Sequence, residues 1–287
     1  MYATSYPGLP TVNRSYGRRT SSELKLETSP QRPVTRRQLS RWAITLEAPY
    51  SWIVRVHLHL LIAALPVLAI SADVFGWVTL QVVAVGVLLP LIAVTTVVVT
   101  RRPDRSDRLI LAGFLWGMVA CAGYDAFRLP TIYAAHWWHD FFGTVGGWAT
   151  GSQSNFLVGY LWRYVGDGGG IAVSFFVLAA TLGAAAWPRR HVYALAIGYA
   201  VFPVWSGLVL TDLLAPHGRQ LFPLTPTTLA LSLAGHLIYG AILGLGYCLS
   251  GSQEATWPLH MASVAPLVRR WSAVRRARLA GPVPTTA

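Results

Sequence analysis

The sequence predicts an all-α integral membrane protein with about six transmembrane helices, and three observations lead to this fold class. Only 12% of the 287 residues are charged and 54% are hydrophobic, with a mean hydropathy of +0.46. Soluble domains carry about 25% charged residues. Six apolar segments recur along the chain, each near the ~20 residues that a helix needs to cross a ~30 Å hydrocarbon core. Basic residues alternate between the segments as the positive-inside rule requires.

The predicted spans cover approximately residues 52–72, 75–100, 109–127, 171–187, 192–214 and 227–250, within a transmembrane domain at 51–250. Residues 1–34 are rich in Ser, Thr, Pro, Gly and Arg and predict a disordered tail. At 35–50, Leu39, Trp42 and Leu46 recur at helical spacing between arginines, which favours an amphipathic helix on the membrane surface. Residues 251–287 form a second basic tail.

Arginine placement predicts the orientation of the chain. Of the 23 basic residues, 20 lie in the two tails, at Arg55 and in the loops 101–108 and 188–191. Both termini are therefore expected in the cytoplasm, with the protein in a plasma membrane and its basic residues beside anionic lipid. This partner explains the pI of 10.3 better than nucleic acid does. All basic residues but one are arginine, a bias that indicates a bacterial, GC-rich genome.

The stretch 123–170, which includes the outer loop at 128–170, contains most of the polar residues that are costly in or beside a membrane. Pro130 and the glycines at 143–147 break it into pieces, so we expect two short helices near 132–142 and 155–165. Their aromatic residues suit an interfacial position, and a re-entrant one is the alternative. The two cysteines, Cys121 and Cys248, lie in apolar segments near opposite faces and predict free thiols.

The third segment carries Gly113, Gly117, Cys121, Asp125 and Arg128 on roughly one helical face. This face is either a packing surface that ends in a local ion pair or the wall of a ligand site. For the second reading we assign as ligand-binding candidates the polar residues expected in or beside the membrane on the outer side: Asp125, Arg128, Arg163, Asp167, Asp212 and His236.

Two further motifs have a structural and a functional interpretation. His136, His139 and Asp140 stand at i, i+3 and i+4, so one helical face could present three metal ligands or the set could simply form hydrogen bonds at the surface. The glycine-rich run 166–170 opens the fourth predicted span, where Asp167 is expected to cap the helix. An anion nest is the alternative for this run.

These patterns leave three classes of function open. The leading hypothesis is binding or translocation of a small polar or amphiphilic molecule through an outward-facing polar pocket. A membrane-embedded, metal-dependent enzyme at the outer leaflet is the second, although the chain lacks the usual membrane-enzyme motifs. A non-catalytic subunit that assembles with another membrane protein is the third. No cofactor can be assigned.

Overall fold

The computed structural model describes residues 36–250 except 105 and 222, and side chains from residue 54 onward. In this part of the chain the secondary structure is helical, without strands. The chain separates into two compact units, 1–45 and 46–287. The predicted tails at 1–34 and 251–287 lie outside the described residues, as do the side chains of the predicted surface segment at 35–50.

Seven helices make up the described fold: α1 Arg36–Val74, α2 Leu80–Arg101, α3 Ser106–Tyr133, α4 Phe142–Thr150, α5 Phe156–Leu182, α6 Arg189–Leu214 and α7 Pro226–Ser250. The Val54–Val74 part of α1 and the helices α2, α3, α5, α6 and α7 are long and apolar enough to cross a membrane. The predicted all-α membrane fold with six spans is therefore confirmed. Cys121 and Cys248 are both free, as expected.

The core of the second unit lies where α3, α5, α6 and α7 meet. Its almost fully buried side chains include those of Phe175, Phe176, Leu243 and Tyr247. Glycines let the helices approach closely: a Cβ at Gly117 would stand 2.2 Å from the Gly168 carbonyl oxygen. The small residues of the third segment thus form a packing surface against α5.

The fourth span begins at Phe156, whereas the sequence predicted a start near residue 171. The predicted start was too late because charged side chains lie inside this helix. Arg163 and Asp167, which lower the local hydropathy, belong to a π-helical stretch from Trp162 to Gly169 within α5. Asn155 caps this helix, since its side-chain oxygen accepts a hydrogen bond from the Val158 N–H at 3.1 Å. The expected cap at Asp167 is wrong, because Asp167 lies in the helix interior.

The expected short helix near 132–142 is also wrong. Helix α3 runs through Pro130 and ends at Tyr133, and residues 134–141 form a loop. Pro130 lies in the last turn, so it interrupts only the end of the hydrogen-bond ladder. The glycines at 143–147 lie within α4 instead of breaking it. A Cβ at Gly146 would stand 1.9 Å from the Asn155 carbonyl oxygen, so this glycine allows close contact between α4 and the start of α5.

Candidate functional site

Asp125 is the centre of a buried ion network between α3 and α5. Its Oδ1 accepts hydrogen bonds from Arg163 Nη2 at 2.9 Å and from Arg128 Nε at 3.3 Å. Asp125 and Arg128 are each 1% exposed. A lone carboxylate at this depth would be costly, but two arginines from two helices neutralise it.

Arg128 joins this centre to the loop after α3. Its Nη2 lies 2.9 Å from Asp140 Oδ1 and 3.4 Å from the Tyr160 hydroxyl oxygen. Asp140 also accepts hydrogen bonds from the Tyr160 and Tyr133 hydroxyls, and from the Phe142 N–H at 3.1 Å. Asp140 is thus a counter-ion that ties the loop 134–141 to α3, α4 and α5.

Aromatic rings cover the two guanidinium groups. The ring centroid of Phe142 lies 4.7 Å from Arg128 Cζ and 4.8 Å from Arg163 Cζ, and that of Tyr124 lies 4.5 Å from Arg163 Cζ. Arg128 Nη1 has no hydrogen-bond partner among the described residues, and rings surround its guanidinium group. Cation–π contacts therefore replace part of the hydration of the two guanidinium groups.

The Asp140 carboxyl has a net downward shift in pKa. Burial by itself raises this pKa, but the hydrogen bond from Tyr160, the charge of Arg128 and the Phe142 N–H together lower it below its ordinary value. Asp140 is therefore charged at neutral pH.

The structure brings three of the six predicted ligand residues together and leaves three outside the network. Asp125, Arg128 and Arg163 meet directly, while Asp167 lies one helical turn beyond Arg163 with its buried Oδ1 unpartnered among the described residues. His236 lies in α7, with Nδ1 2.7 Å from the Ser232 carbonyl oxygen.

Asp212 is separate from the ion network. It lies near the end of α6, is 1% exposed, and has both carboxylate oxygens without a hydrogen-bond partner in the described part of the chain. A Cβ at Gly218 would stand 2.3 Å from the Asp212 carbonyl oxygen, so the turn after α6 packs tightly on its backbone. The structure therefore does not combine Asp212 with the other candidates.

The helical face predicted for a metal does not form. His136 and His139 are exposed in the loop 134–141, where His136 has a φ of 54°, and Asp140 pairs with Arg128. Within the described residues no group of three or more His, Cys, Asp or Glu side chains is placed to hold a metal ion. The prediction failed because α3 ends at Tyr133 and α4 begins at Phe142, which leaves a loop where helical spacing was assumed.

The glycine-rich run 166–170 allows α5 to pack closely against its neighbours. A Cβ at Gly166 would stand 2.7 Å from Pro66 Cβ, and one at Gly170 would stand 2.2 Å from the Ala63 carbonyl oxygen, so α5 lies close against α1. On the other side of α5, the Gly168 carbonyl accepts a hydrogen bond from the Tyr239 hydroxyl at 2.6 Å. The run lies inside a helix, where backbone N–H groups are used, and so it lacks the free donors of an anion nest.

An apolar cleft of about 710 Å³ lies between α1, α2, α3, α4 and α5. None of the six predicted ligand residues lines it. Its α2 wall extends from Ala84 to Thr100, which at ~1.5 Å per residue is ~24 Å, or most of a ~30 Å hydrocarbon core. Among its lining residues, Thr95 Oγ1 and Trp162 Nε1 have no hydrogen-bond partner within the described residues.

Helix α2 is tied to its neighbours at both ends and borders the cleft in between. At one end the Leu80 N–H donates to Asp73 Oδ2 at 2.9 Å, and Leu80 packs in a cluster with Val145 of α4. At the other end Arg55 forms an ion pair with Asp107 and donates to the Arg102 carbonyl oxygen at 2.5 Å. The cleft is the space that the middle of α2 leaves against α1, α3 and α5.

Compared with protein-family models, curated proteins and solved structures, the chain matches none of them. The fold and the site are therefore interpreted from their own geometry.

Sequence reasoning missed Tyr160 and Asn155 although a signal was present. Tyr160, Arg163 and Asp167 stand at i, i+3 and i+7, which places them on one helical face, and Asn155 precedes them as a good cap. The cleft residues carry no comparable signal, because apolar side chains in a span look alike whether they face lipid or a cavity.

Proposed function

We propose that this multi-pass membrane protein binds an amphiphile, with an apolar chain of the ligand in the cleft between α1, α2, α3 and α5. The cleft itself is the observation that carries this proposal. Its volume of about 710 Å³ is that of a small-molecule site, since such pockets measure about 300–1,000 Å³. The ion network supports the fold instead, because its charges already satisfy one another.

The chemistry of the lining supports an amphiphile over a polar solute. Ile62, Leu88, Ile92, Phe114 and Val173 are typical of the wall, and a polar solute would lose its hydration there without replacement. Thr95 and Trp162 also line the cleft, but their Oγ1 and Nε1 atoms are buried and have no hydrogen-bond partner in the described part of the chain. The surface offered to a ligand is therefore apolar and matches a hydrocarbon chain.

A pair of tryptophan substitutions on α2 tests the cleft. Ile92 lines it, whereas Val94 does not, and the two are 37% and 54% exposed on the same helix. Ile92→Trp is expected to fill the cleft and to reduce the amphiphile retained after gentle purification by at least fivefold, as measured by native mass spectrometry. Val94→Trp, the matched control, is expected to retain the wild-type amount.

Equal retention by the two variants, with both folded, would contradict binding in the cleft. Melting temperatures in detergent serve as the folding control, because a side chain added toward lipid or toward an open cleft leaves the packed core untouched.

We also infer that both termini lie in the cytoplasm of a bacterial cell, with the loop 134–155 outside. The alternation of arginines around the six spans supports this orientation. In a chain whose Cys121 and Cys248 are replaced by alanine, Ser154→Cys is expected to react with an impermeant thiol reagent on intact cells. Ser22→Cys is expected to react only after permeabilisation, and the reverse pattern would refute the orientation.

A further inference from the structure

We propose that the amphiphile is an anionic phospholipid whose phosphate lies at the Arg101–Arg108 end of the cleft. This inference rests on the proposed binding of an amphiphile and adds the class of its head group and its direction in the membrane. The asymmetry of charge between the two ends of the cleft carries it.

One end of the cleft is strongly basic. Arg101 ends α2, Arg102 follows it, and Arg108 lies in the first turns of α3; all three are exposed. The cleft reaches this end at Thr100 and Asp107. Asp107 does not offset the three arginines, because the buried Arg55 already neutralises it.

Asp104 is the other described acid of this loop, and it accepts hydrogen bonds from the Ser106 N–H and hydroxyl at 2.8 and 2.6 Å. Among the described residues of this loop, three exposed arginines therefore stand against one carboxylate, next to the lining residues Thr100 and Asp107. Arginine forms bidentate hydrogen bonds with phosphate, which makes a phosphate group the ligand that this rim fits best.

The opposite end of the cleft is uncharged. Ala149, Thr150 and Val158 line it, and the neighbouring stretches 76–79 and 151–155 contain no Lys or Arg. An anionic head group at that end would lose its hydration without gaining a cation. The charge distribution therefore favours one direction of the lipid, with its chain running from Thr100 toward Ala149.

Helix dipoles do not decide the direction. The C-terminal end of α2 at Arg101 disfavours an anion, while the N-terminal end of α3 at Ser106 favours one, and the two effects act in the same place with opposite sign. The arginine side chains remain as the deciding charges. Thr96 and Thr100 line this end of the cleft and suit the depth of the ester groups between chain and phosphate.

The test compares lipids with identical chains and different head groups. Full-length protein is equilibrated in mixed micelles with equal amounts of phosphatidylglycerol and phosphatidylcholine, and bound lipid is counted by native mass spectrometry. Wild-type protein is expected to retain phosphatidylglycerol on the order of tenfold more than phosphatidylcholine, since each basic residue beside an anionic head group contributes several-fold in affinity.

Arg101→Gln with Arg102→Gln is expected to reduce this preference to about one- to threefold, because two of the three exposed guanidinium groups are lost. Arg189→Gln with Arg190→Gln is the matched control. It removes the same charge from another exposed inter-helix position, at the start of α6 and away from the cleft lining, and is expected to keep the wild-type preference. Arg108→Gln alone provides a second variant if the first pair does not fold.

The results distinguish a failure of the phosphate position from a failure of amphiphile binding in the cleft. If Ile92→Trp abolishes lipid retention but neither arginine variant changes the head-group preference, the phosphate position is refuted while binding in the cleft stands. If Ile92→Trp and Val94→Trp retain lipid equally, the cleft is not the site and the amphiphile function fails with it. An equal loss of preference in both arginine pairs would indicate general surface charge and would also overturn the assignment.

Discussion

Helix α5 has two sides with different surroundings, a buried ion network on one and an apolar cleft on the other. On one side Arg163 faces Asp125, and every strong charge of the network has a counter-charge or a ring beside it. On the other side Trp162, Val165 and Gly166 border the apolar cleft. The first side is filled by side chains of the protein itself, whereas the second borders an open apolar cleft, for which we have proposed an amphiphilic ligand.

The comparison indicates that charged residues inside a membrane span, whose burial costs free energy, do not always mark a ligand site. Charged groups inside a span are a reasonable first hypothesis for a site. Here the arginines and aspartates lie 2.9–3.3 Å from one another and are largely buried, a geometry that favours a structural brace. The residues that form the cleft have ordinary apolar side chains and stand out only in three dimensions.

The largest effect is expected from Asp125→Leu. The substitution leaves Arg163 and Arg128 buried with fewer counter-charges, and breaking a buried pair in this way costs about 3–5 kcal/mol. We expect a fall in the free energy of unfolding of that order, measured as loss of melting temperature in detergent, with no change in amphiphile affinity of the protein that remains folded.

A double variant sharpens this expectation. Asp125→Leu with Arg128→Met would restore stability if the two residues formed an isolated pair. Because Arg163 and Asp140 also belong to the network, the double variant leaves each of them without its main partner and is expected to recover little. Recovery to within about 1 kcal/mol of wild type would show that the pair is independent of its neighbours.

An intermediate effect is expected from glycines on the two sides of α5. Gly117→Ala places a Cβ 2.2 Å from the backbone oxygen of Gly168, so helices α3 and α5 must separate, at a cost of about 1–3 kcal/mol. Gly166→Ala meets Pro66 Cβ at 2.7 Å beside the cleft, a longer distance than the 2.2 Å at Gly117, and is expected to cost less.

Gly207→Ala is the control for this pair. Its Cβ would meet nothing within 4 Å, and alanine favours helix over glycine by about 1 kcal/mol, so the variant is expected to be neutral or slightly stabilising. Thermal unfolding of the three variants in one detergent gives the ranking. A larger loss of melting temperature for Gly166→Ala than for Gly117→Ala would contradict this ranking. It would mean that the side of α5 facing the cleft is packed as tightly as the side facing the ion network.

The smallest effect concerns pH. Because the Asp140 carboxyl has a folded-state pKa below its ordinary value of 3.8, its contribution is fully present above that value and is lost as the pH falls through the lowered pKa. We expect a small loss of stability on acidification below about pH 4, measured by thermal unfolding. Asp140→Asn should reduce the loss of stability in this pH range. An unchanged dependence of stability on pH would show that Asp140 does not stabilise the fold through the ion network.

The number of spans could be predicted from the sequence because apolar length and arginine alternation are local properties. The start of α5 could not be predicted from hydropathy, since Arg163 counts as an exposed charge until α3 brings Asp125 beside it. The role of Asp140 could not be predicted from the sequence for a similar reason. Its spacing from His136 indicated metal, but its partner Arg128 lies on the preceding helix.

The cleft could not be predicted because it depends on how far α2 stands from the bundle. Residues such as Ile92 and Val94 are equivalent in hydropathy, and only the placement of helices makes one of them a lining residue. A periodicity argument identifies which residues share a face, but not whether that face meets a helix, lipid or a cavity.

The attachment of α2 at both ends has a mechanical consequence. The helix has 22 residues, or ~33 Å at ~1.5 Å per residue, slightly more than a ~30 Å hydrocarbon core. A free helix adapts to a thinner bilayer by tilting. Since Leu80 is tied to Asp73 and Arg102 to Arg55, α2 is held at both ends, and we expect it to bend instead of tilting by itself. We therefore expect bilayer thickness to change the width of the cleft beside α2.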